Sequence, residues 1–177
     1  MKKMIQLIAS LGASVTLSFH AHAACLTPHE LEKPDHIYTV GTNTQEGTVL
    51  DKETNLMWSQ CPVGFSFVAG VCESGPDTAD DKSIWGESFA LAASSNLGGF
   101  SDWRIPNIKE LQTLMARACN NQALNAAAFP ELANDSIWSA TPNVRVDSRA
   151  WVVNKADAIS STQTKGSTNY VYLVRDQ

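Results

Sequence analysis

Apolar and polar positions follow a helical period most clearly between residues 98 and 118. The apolar positions there share one helical face: Ile108, Leu111, Leu114, Met115 and Ala118. Asn107 is a favourable N-cap, and Glu110 follows three residues later, as a capping box requires. Pro106 favours an extended conformation of the residue before it. The pattern therefore predicts a short strand at 103–105 that leads directly into a capped helix.

Shorter apolar patterns elsewhere predict several strands and a second helix. The strand candidates are 37–40, a hairpin of 49–50 with 56–58, then 136–141, 149–154 and 169–175. In the last of these, aliphatic residues alternate with tyrosines, which predicts one buried face. Ser83 is a candidate cap for a helix that carries Trp85, Phe89 and Ala92 on one face and ends before Gly99. Two helices among short strands predict an α+β domain with antiparallel sheets.

The first 23 residues have the pattern of a secretory signal peptide. Lys2 and Lys3 precede an apolar stretch, and Ala21-His22-Ala23 places small residues where signal peptidase reads them. The apolar stretch is shorter than the roughly 20 residues of a membrane span. A lipoprotein anchored at Cys25 is the alternative, but His22 stands where an aliphatic residue would be expected. We therefore expect a signal peptide at 1–23, an N-terminal arm at 24–45 and one domain at 46–177, in a periplasmic or extracellular protein.

The charge balance restricts the partners. The chain has 13 Lys and Arg against 18 Asp and Glu, a net charge of −5, and loss of Lys2 and Lys3 makes the exported chain more acidic. Because phosphate contacts need clustered basic residues, and no dense basic run occurs, we expect no nucleic-acid partner. No stretch after the signal peptide is long and apolar enough to cross a membrane.

All four cysteines lie outside the signal peptide. An even number of cysteines in an exported chain predicts two disulfides, for which three pairings exist. Cys61 and Cys72 flank a compact loop, which favours Cys61–Cys72 and leaves Cys25–Cys119. A redox or metal role is less favoured because the chain has no Cys-x-x-Cys motif.

The residue types that support catalysis are sparse. After the signal peptide only His29 and His36 remain, both in the arm, so a Ser or Cys nucleophile would need the arm folded back over the domain. Asp77, Asp80 and Asp81 cluster in one loop, but their spacing matches no EF-hand. We expect no catalytic residues, no metal site and no cofactor.

Aromatic and basic residues are the remaining candidates for function. We expect structural roles for Arg104, Pro106 and the tryptophans Trp58, Trp85, Trp103, Trp138 and Trp151, although one exposed indole could stack on a sugar ring. The irregular segments 143–149 and 155–168 carry the candidate ligand-binding residues Arg145, Arg149, Lys155 and Lys165. These could bind a carboxylate or a sulfate; the alternative is that they are scattered, solvated charges.

Several motifs, taken in order, resemble the Lcl C-terminal domain family. They are Thr54-Asn55-Leu56-Met57-Trp58, Trp85 with its small-residue helix, and Gly99-Phe100-Ser101-Asp102-Trp103-Arg104-Ile105-Pro106-Asn107 with Glu110-Leu111. Trp138-Ser139, Ala150-Trp151 and residues 170–175 extend the resemblance over about 46–175.

The resemblance implies a C-type-lectin-like fold, distantly similar to formylglycine-generating enzymes. In Legionella collagen-like adhesins this domain is associated with trimerisation and with binding of sulfated polysaccharides. The collagen-like repeats that accompany it there are absent from this chain. The cysteines that formylglycine chemistry uses near the end of the chain are absent too, since no cysteine follows Cys119. A homotrimer is therefore an expectation of the family alone.

These observations favour an exported, non-enzymatic binding module that recognises a polysaccharide or an envelope protein in adhesion. A structural or assembly subunit of a surface appendage such as a pilus is the alternative, and an enzyme of unknown type is third.

Overall fold

The computed structural model describes residues 33–75, 82–117, 123–130 and 135–177. Along the chain the elements are β1 (Tyr38–Val40), β2 (Thr48–Asp51), β3 (Leu56–Ser59), β4 (Phe65–Val68), β5 (Val71–Ser74), β6 (Ser83–Ile84), α1 (Trp85–Ala93), α2 (Ile108–Leu114), β7 (Ser136–Pro142), β8 (Arg149–Asn154), β9 (Ser160–Thr164), β10 (Thr168–Asn169) and β11 (Val174–Asp176). Short 3-10 turns lie at Asp35–Ile37, Asn43–Gln45 and Leu97–Gly99. Within the described ranges this confirms an α+β chain with two helices and short antiparallel sheets.

The first sheet has the strand order β1-β2-β3-β11 and is antiparallel throughout. Trp58 of β3 lies between Val49 of β2 and Val174 of β11, so its side chain sits in the centre of the sheet and is fully buried. The β2–β3 hairpin and the strand near residues 37–40 were predicted and are confirmed. Because β1 pairs with β2, the described end of the arm is part of the sheet.

The second sheet has the order β7-β8-β9. The predicted strands β7 and β8 are confirmed, but β9 lies in a segment that the sequence pattern assigned to a loop. Its residues are Ser-Ser-Thr-Gln-Thr, which carry no apolar alternation to reveal a strand. They form an edge strand whose register sets Trp151 opposite Thr162.

The segment between Cys61 and Cys72 was predicted to be a loop, and this is wrong for most of it. It forms the β4–β5 hairpin, which turns at Ala69 and Gly70, both with positive φ (49° and 88°). Such turns suit hairpins but usually carry Asn-Gly or Asp-Gly, so Ala-Gly gave little signal. The predicted Cys61–Cys72 disulfide is present. The second predicted bridge, Cys25–Cys119, lies outside the described residues.

Helix α2 begins as the sequence predicts. Asn107 Oδ1 accepts from the backbone N–H groups of Lys109 and Glu110 at 2.9 and 3.0 Å, and the Glu110 carboxylate accepts from the Asn107 N–H at 2.7 Å. The helix ends earlier than predicted, at Leu114. Met115 is extended (ψ 121°) and buried in the core, because the chain there turns to pair with residue 123.

Helix α1 begins at Trp85, and the prediction that Ser83 caps it is wrong. Ser83 and Ile84 form the short strand β6, which pairs with β10. The Ser83 carbonyl accepts a hydrogen bond from the Trp138 indole at 2.8 Å. Pairing with a strand distant in sequence therefore prevailed over the local capping preference.

Two hydrophobic cores lie on opposite faces of the second sheet. Ile137 and Val153 enter one core, whereas their neighbours Trp138 and Val152 enter the other, as the two-residue period of strands requires. Residues 170–173 follow the same rule, with Tyr170 and Tyr172 in the first core and Val171 and Leu173 in the second. The expectation of a single buried face there is wrong, and only the two ends of the predicted strand at 169–175 form ladders.

Candidate functional site

An open groove of about 590 Å³ lies between the β7–β8 loop and strand β9. Seven residues line it: Asn143, Val144, Arg145, Trp151, Ser160, Ser161 and Thr162. They come from one loop and two adjacent strands, so the groove has a rigid floor and one irregular wall. Loops held in this way on a rigid scaffold are common places for recognition.

The loop wall is folded onto itself by its first residue. Asn143 Oδ1 accepts from the backbone N–H groups of Arg145 and Val146 at 2.8 and 3.2 Å, an Asx turn. The Asn143 N–H donates to the Arg149 carbonyl at 2.9 Å, which closes the loop at its base. The side chain of Val144 is left 91% exposed at the tip, and Arg145 is exposed beside it.

Of the four basic residues predicted to bind a ligand, only Arg145 lines the groove. Arg149 lies just behind the lining. Its Nε donates to Thr162 Oγ1 at 3.0 Å and its Nη2 donates to the Thr162 carbonyl, so its guanidinium ties β8 to β9.

The two lysines lie elsewhere. Lys155 is buried, with Nζ 5.8 Å from the centre of the Tyr170 ring, and Lys165 places Nζ 4.3 Å from the centre of the Trp85 ring. Each ammonium thus lies over an aromatic face, where a cation is stabilised by the ring. Neither lysine lines the groove. The structure therefore does not gather the four basic residues into one site.

Trp151 differs from the other tryptophans. The indoles of Trp85, Trp103 and Trp138 donate to backbone carbonyls at 2.8 to 2.9 Å, and Trp58 is fully buried. Trp151 is half-buried, and within the described part of the chain its indole N–H meets no acceptor and its ring no aromatic partner. Trp151 lines the groove. It is therefore the tryptophan that best fits the expectation of one exposed indole able to stack on a sugar ring.

Sequence reasoning missed the hydroxyls of β9. Ser160 and Thr162 lie on the same face as Trp151, since Thr162 is its direct cross-strand partner and Ser160 is two residues away. The signal was the polar run 160–164, which reads as a loop until its partner strand is known.

Arg104 lies in the framework of the fold. Its two terminal nitrogens donate to the two carboxylate oxygens of Glu110, both at 2.8 Å, and one also donates to Asp176 at 3.1 Å. The hydrogen bonds to Glu110, followed by the Coulombic attraction, raise the pKa of Arg104. Pro106 is buried and its carbonyl accepts from Ala140 at 2.7 Å, so this stretch fastens α2 to β7 and β11.

A second, smaller cavity of about 170 Å³ lies beside the disulfide-bonded hairpin. Phe65, Phe67, Leu97 and Leu173 give it a mainly apolar lining, whereas five of the seven residues that line the groove are polar. The hairpin that covers it exposes Val68 and Val71 at its tip.

In the described residues no group of three or more His, Cys, Asp or Glu side chains is placed to hold a metal ion. The acidic residues Asp77, Asp80 and Asp81, which are close together in sequence, lie outside the described residues. No helix in the same ranges has the length and apolar character of a membrane span.

Comparison with known protein families identifies the family of the chain. The sequence model of a family described as the Lcl C-terminal domain matches residues 47–175. No curated protein matches the chain. The matched range begins at the first long hairpin and ends within the last strand, β11.

Proposed function

The chain belongs to the Lcl C-terminal domain family, and on that basis we propose that it is an exported, non-enzymatic binding module that recognises a glycan or a protein at the cell envelope or surface. The observation that carries the proposal is the extent of the match, which runs from residue 47 to residue 175. Family membership points to a surface module of the adhesin type. The short antiparallel sheets and two helices are also compatible with the C-type-lectin-like fold that we assign to the family.

Export is supported by two features of the chain. Residues 1–23 have the pattern of a signal peptide, and the Cys61–Cys72 disulfide is of a kind that persists in oxidising compartments. Both features favour the periplasm or the cell exterior over the cytoplasm.

Binding without catalysis is supported by the lining of the groove. Its side chains offer hydroxyls, an amide, an indole and a single guanidinium. General acid–base catalysis needs a titratable group such as His, Glu or Asp within hydrogen-bond reach of a substrate, and none of the described residues that line this groove is of these types. The groove therefore fits recognition better than turnover.

The proposal is tested with the mature chain, residues 24–177, on a glycan array and against detergent-solubilised envelope protein. We expect saturable binding to at least one glycan or one envelope protein. Arg145→Ala is expected to weaken the binding of an anionic ligand, whereas Lys109→Ala, which removes an exposed positive charge from α2, is the matched control. Absence of saturable binding in both assays would contradict the proposal.

A second candidate function, a structural subunit of a surface assembly, is favoured by the loop tip. Val144 is 91% and Val146 44% exposed, so the loop presents two aliphatic side chains that another subunit could cover. Light scattering across a concentration series tests self-assembly. A higher oligomer that Val144→Ser with Val146→Ser dissociates would support this function, and a monomer at every concentration would exclude self-assembly through the loop.

A further inference from the structure

The donors around Trp151 suggest which ligand the groove takes. Ser160 Oγ accepts from Gln112 Nε2 at 2.9 Å, and Thr162 Oγ1 accepts from Arg149 Nε at 3.0 Å. A hydroxyl whose lone pair is already engaged still has its own proton to donate. Among the described residues neither hydroxyl donates to the protein, so both protons are available on the face that carries Trp151.

The same face offers the indole N–H of Trp151 as a third donor. Among the described residues that line the groove, Arg145 alone carries a charge, and it forms no ion pair with any described residue. The other nearby cation, the Arg149 guanidinium, is held by Thr162. Several neutral donors and one cation in a net acidic chain suit a ligand that is rich in uncharged oxygen acceptors.

We propose that this groove is a subsite for a neutral pyranose ring of an oligosaccharide, with the ring packed against Trp151 and its hydroxyl oxygens accepting from Ser160, Thr162 and Arg145. The inference rests on the proposed binding function and specifies its ligand and its site. A pyranose whose substituents are all equatorial has a flat C–H face that packs on an aromatic ring, while its hydroxyls point outward to donors at the edge. A volume of about 590 Å³ lies within the range of ordinary small-ligand sites.

The affinity for a neutral sugar and the affinity for a polyanion depend differently on salt concentration. Attraction between an exposed cation and a polyanion is screened, with a Debye length of about 10 Å at 0.1 M salt and about 3 Å at 1 M. Ring packing and hydrogen bonds between neutral groups are not screened in this way. The affinity of the groove for a neutral sugar should therefore be nearly independent of salt.

The test uses the mature chain with cellohexaose and chitohexaose as probes, titrated by calorimetry at about 0.05 M and about 0.5 M NaCl. We expect binding of at least one probe with dissociation constants that agree within about twofold at the two salt concentrations. Trp151→Ala should weaken binding by about fivefold or more, the loss expected when a central aromatic contact is removed.

Four further variants separate binding from folding. Trp151→Phe keeps an aromatic face but loses the indole N–H, so it should bind more weakly than wild type and more tightly than Trp151→Ala. Thr162→Ser keeps the hydroxyl and should bind nearly as wild type does, whereas Thr162→Val should weaken binding. Phe89→Ala removes an exposed aromatic side chain from α1, outside the groove, and should leave the affinity unchanged.

Failure to bind either probe would overturn the inference, as would wild-type affinity in Trp151→Ala. Binding of heparin that falls steeply with salt and ignores Trp151→Ala would also overturn this site, while leaving the proposed binding function standing. Absence of binding to any glycan or envelope protein would instead contradict the proposed function itself.

Discussion

The link between Arg104 and Glu110 gives the sharpest prediction about the framework. The Glu110 carboxylate makes two kinds of contact. It accepts hydrogen bonds from both terminal nitrogens of Arg104 at 2.8 Å, and it accepts one from the Asn107 N–H at 2.7 Å that completes the capping box of α2. The perturbation is a double-mutant cycle with Arg104→Ala, Glu110→Ala and the double variant. If the two residues act as one unit, their effects will not add.

The size of the coupling free energy between Arg104 and Glu110 follows from the geometry of the pair and its exposure to solvent. The side chains are 40% and 18% exposed, so the pair is partly screened by solvent, but its two parallel hydrogen bonds make it stronger than most surface pairs. We take a coupling free energy of about 1 kcal/mol, at the upper end for exposed pairs. Loss of the capping contact adds about 1 kcal/mol, so Glu110→Ala should cost about 2 kcal/mol.

Urea unfolding, followed by far-ultraviolet circular dichroism, measures the four free energies of unfolding. Glu110→Gln keeps an acceptor for the cap and should cost less than Glu110→Ala. Lys109→Ala, on an exposed position of the same turn, should stay within about 0.5 kcal/mol of wild type. Effects of Arg104→Ala and Glu110→Ala that add to within about 0.3 kcal/mol would refute the coupling.

Three other predictions concern stability. Replacing Cys61 and Cys72 by Ala opens a link between residues 11 apart in sequence and should lower the free energy of unfolding by about 3 kcal/mol in urea; a loss below about 1 kcal/mol would contradict this. The hydroxyl of Tyr172 is buried and has no hydrogen-bond partner among the described residues, so Tyr172→Phe should leave the melting temperature unchanged or raise it. A clear fall in the melting temperature would contradict this. The Arg175 Nε donates to Asp102 at 2.7 Å, and this hydrogen bond lowers the pKa of the Asp102 carboxyl. The contribution of Asp102 to stability is therefore fully present above the ordinary aspartate pKa of about 3.9 and is lost as the pH falls through the lowered pKa. The difference in melting temperature between wild type and Asp102→Asn should therefore shrink in acid, and a constant difference would count against the pair.

Local signals in the sequence predicted the parts of the fold that local chemistry decides. The capping box of Asn107 and Glu110 fixes the start of α2 from residues three apart, so no distant contact was needed to find it. Strands β7 and β8 carry enough buried aliphatic and aromatic side chains to be recognised alone.

Distant pairing decided the rest. Ser83 has a favourable capping side chain, but its backbone pairs with β10 in a two-residue ladder, so it does not cap α1. The polar strand β9 exists because β8 offers it a partner, and its own composition gives no sign of that. Residues 170–173 are buried on both faces because they run between two cores, which no single-chain periodicity reveals.

In the candidate site, too, the sequence predicted the local features but not those that depend on distant contacts. The sequence identified the loop 143–149 and Arg145, since a basic residue in an irregular segment of an acidic chain is a local feature. It did not separate Trp151 from the buried tryptophans, because the exposure of a strand face depends on how elements distant in sequence pack over it. Lys155 and Lys165 looked equivalent to Arg145 in sequence, yet each packs against an aromatic ring outside the groove.

Amide chemical-shift mapping of residues 24–177, titrated with cellohexaose or with the glycan that the array selects, tests the central claim most directly. A binding module that uses the groove should show its largest shifts at residues 143–145, 151 and 160–162, with the stretch 103–107 nearly unchanged. Largest shifts at 103–107, or shifts that avoid the groove altogether, would contradict the assignment of one region to the framework and the other to recognition.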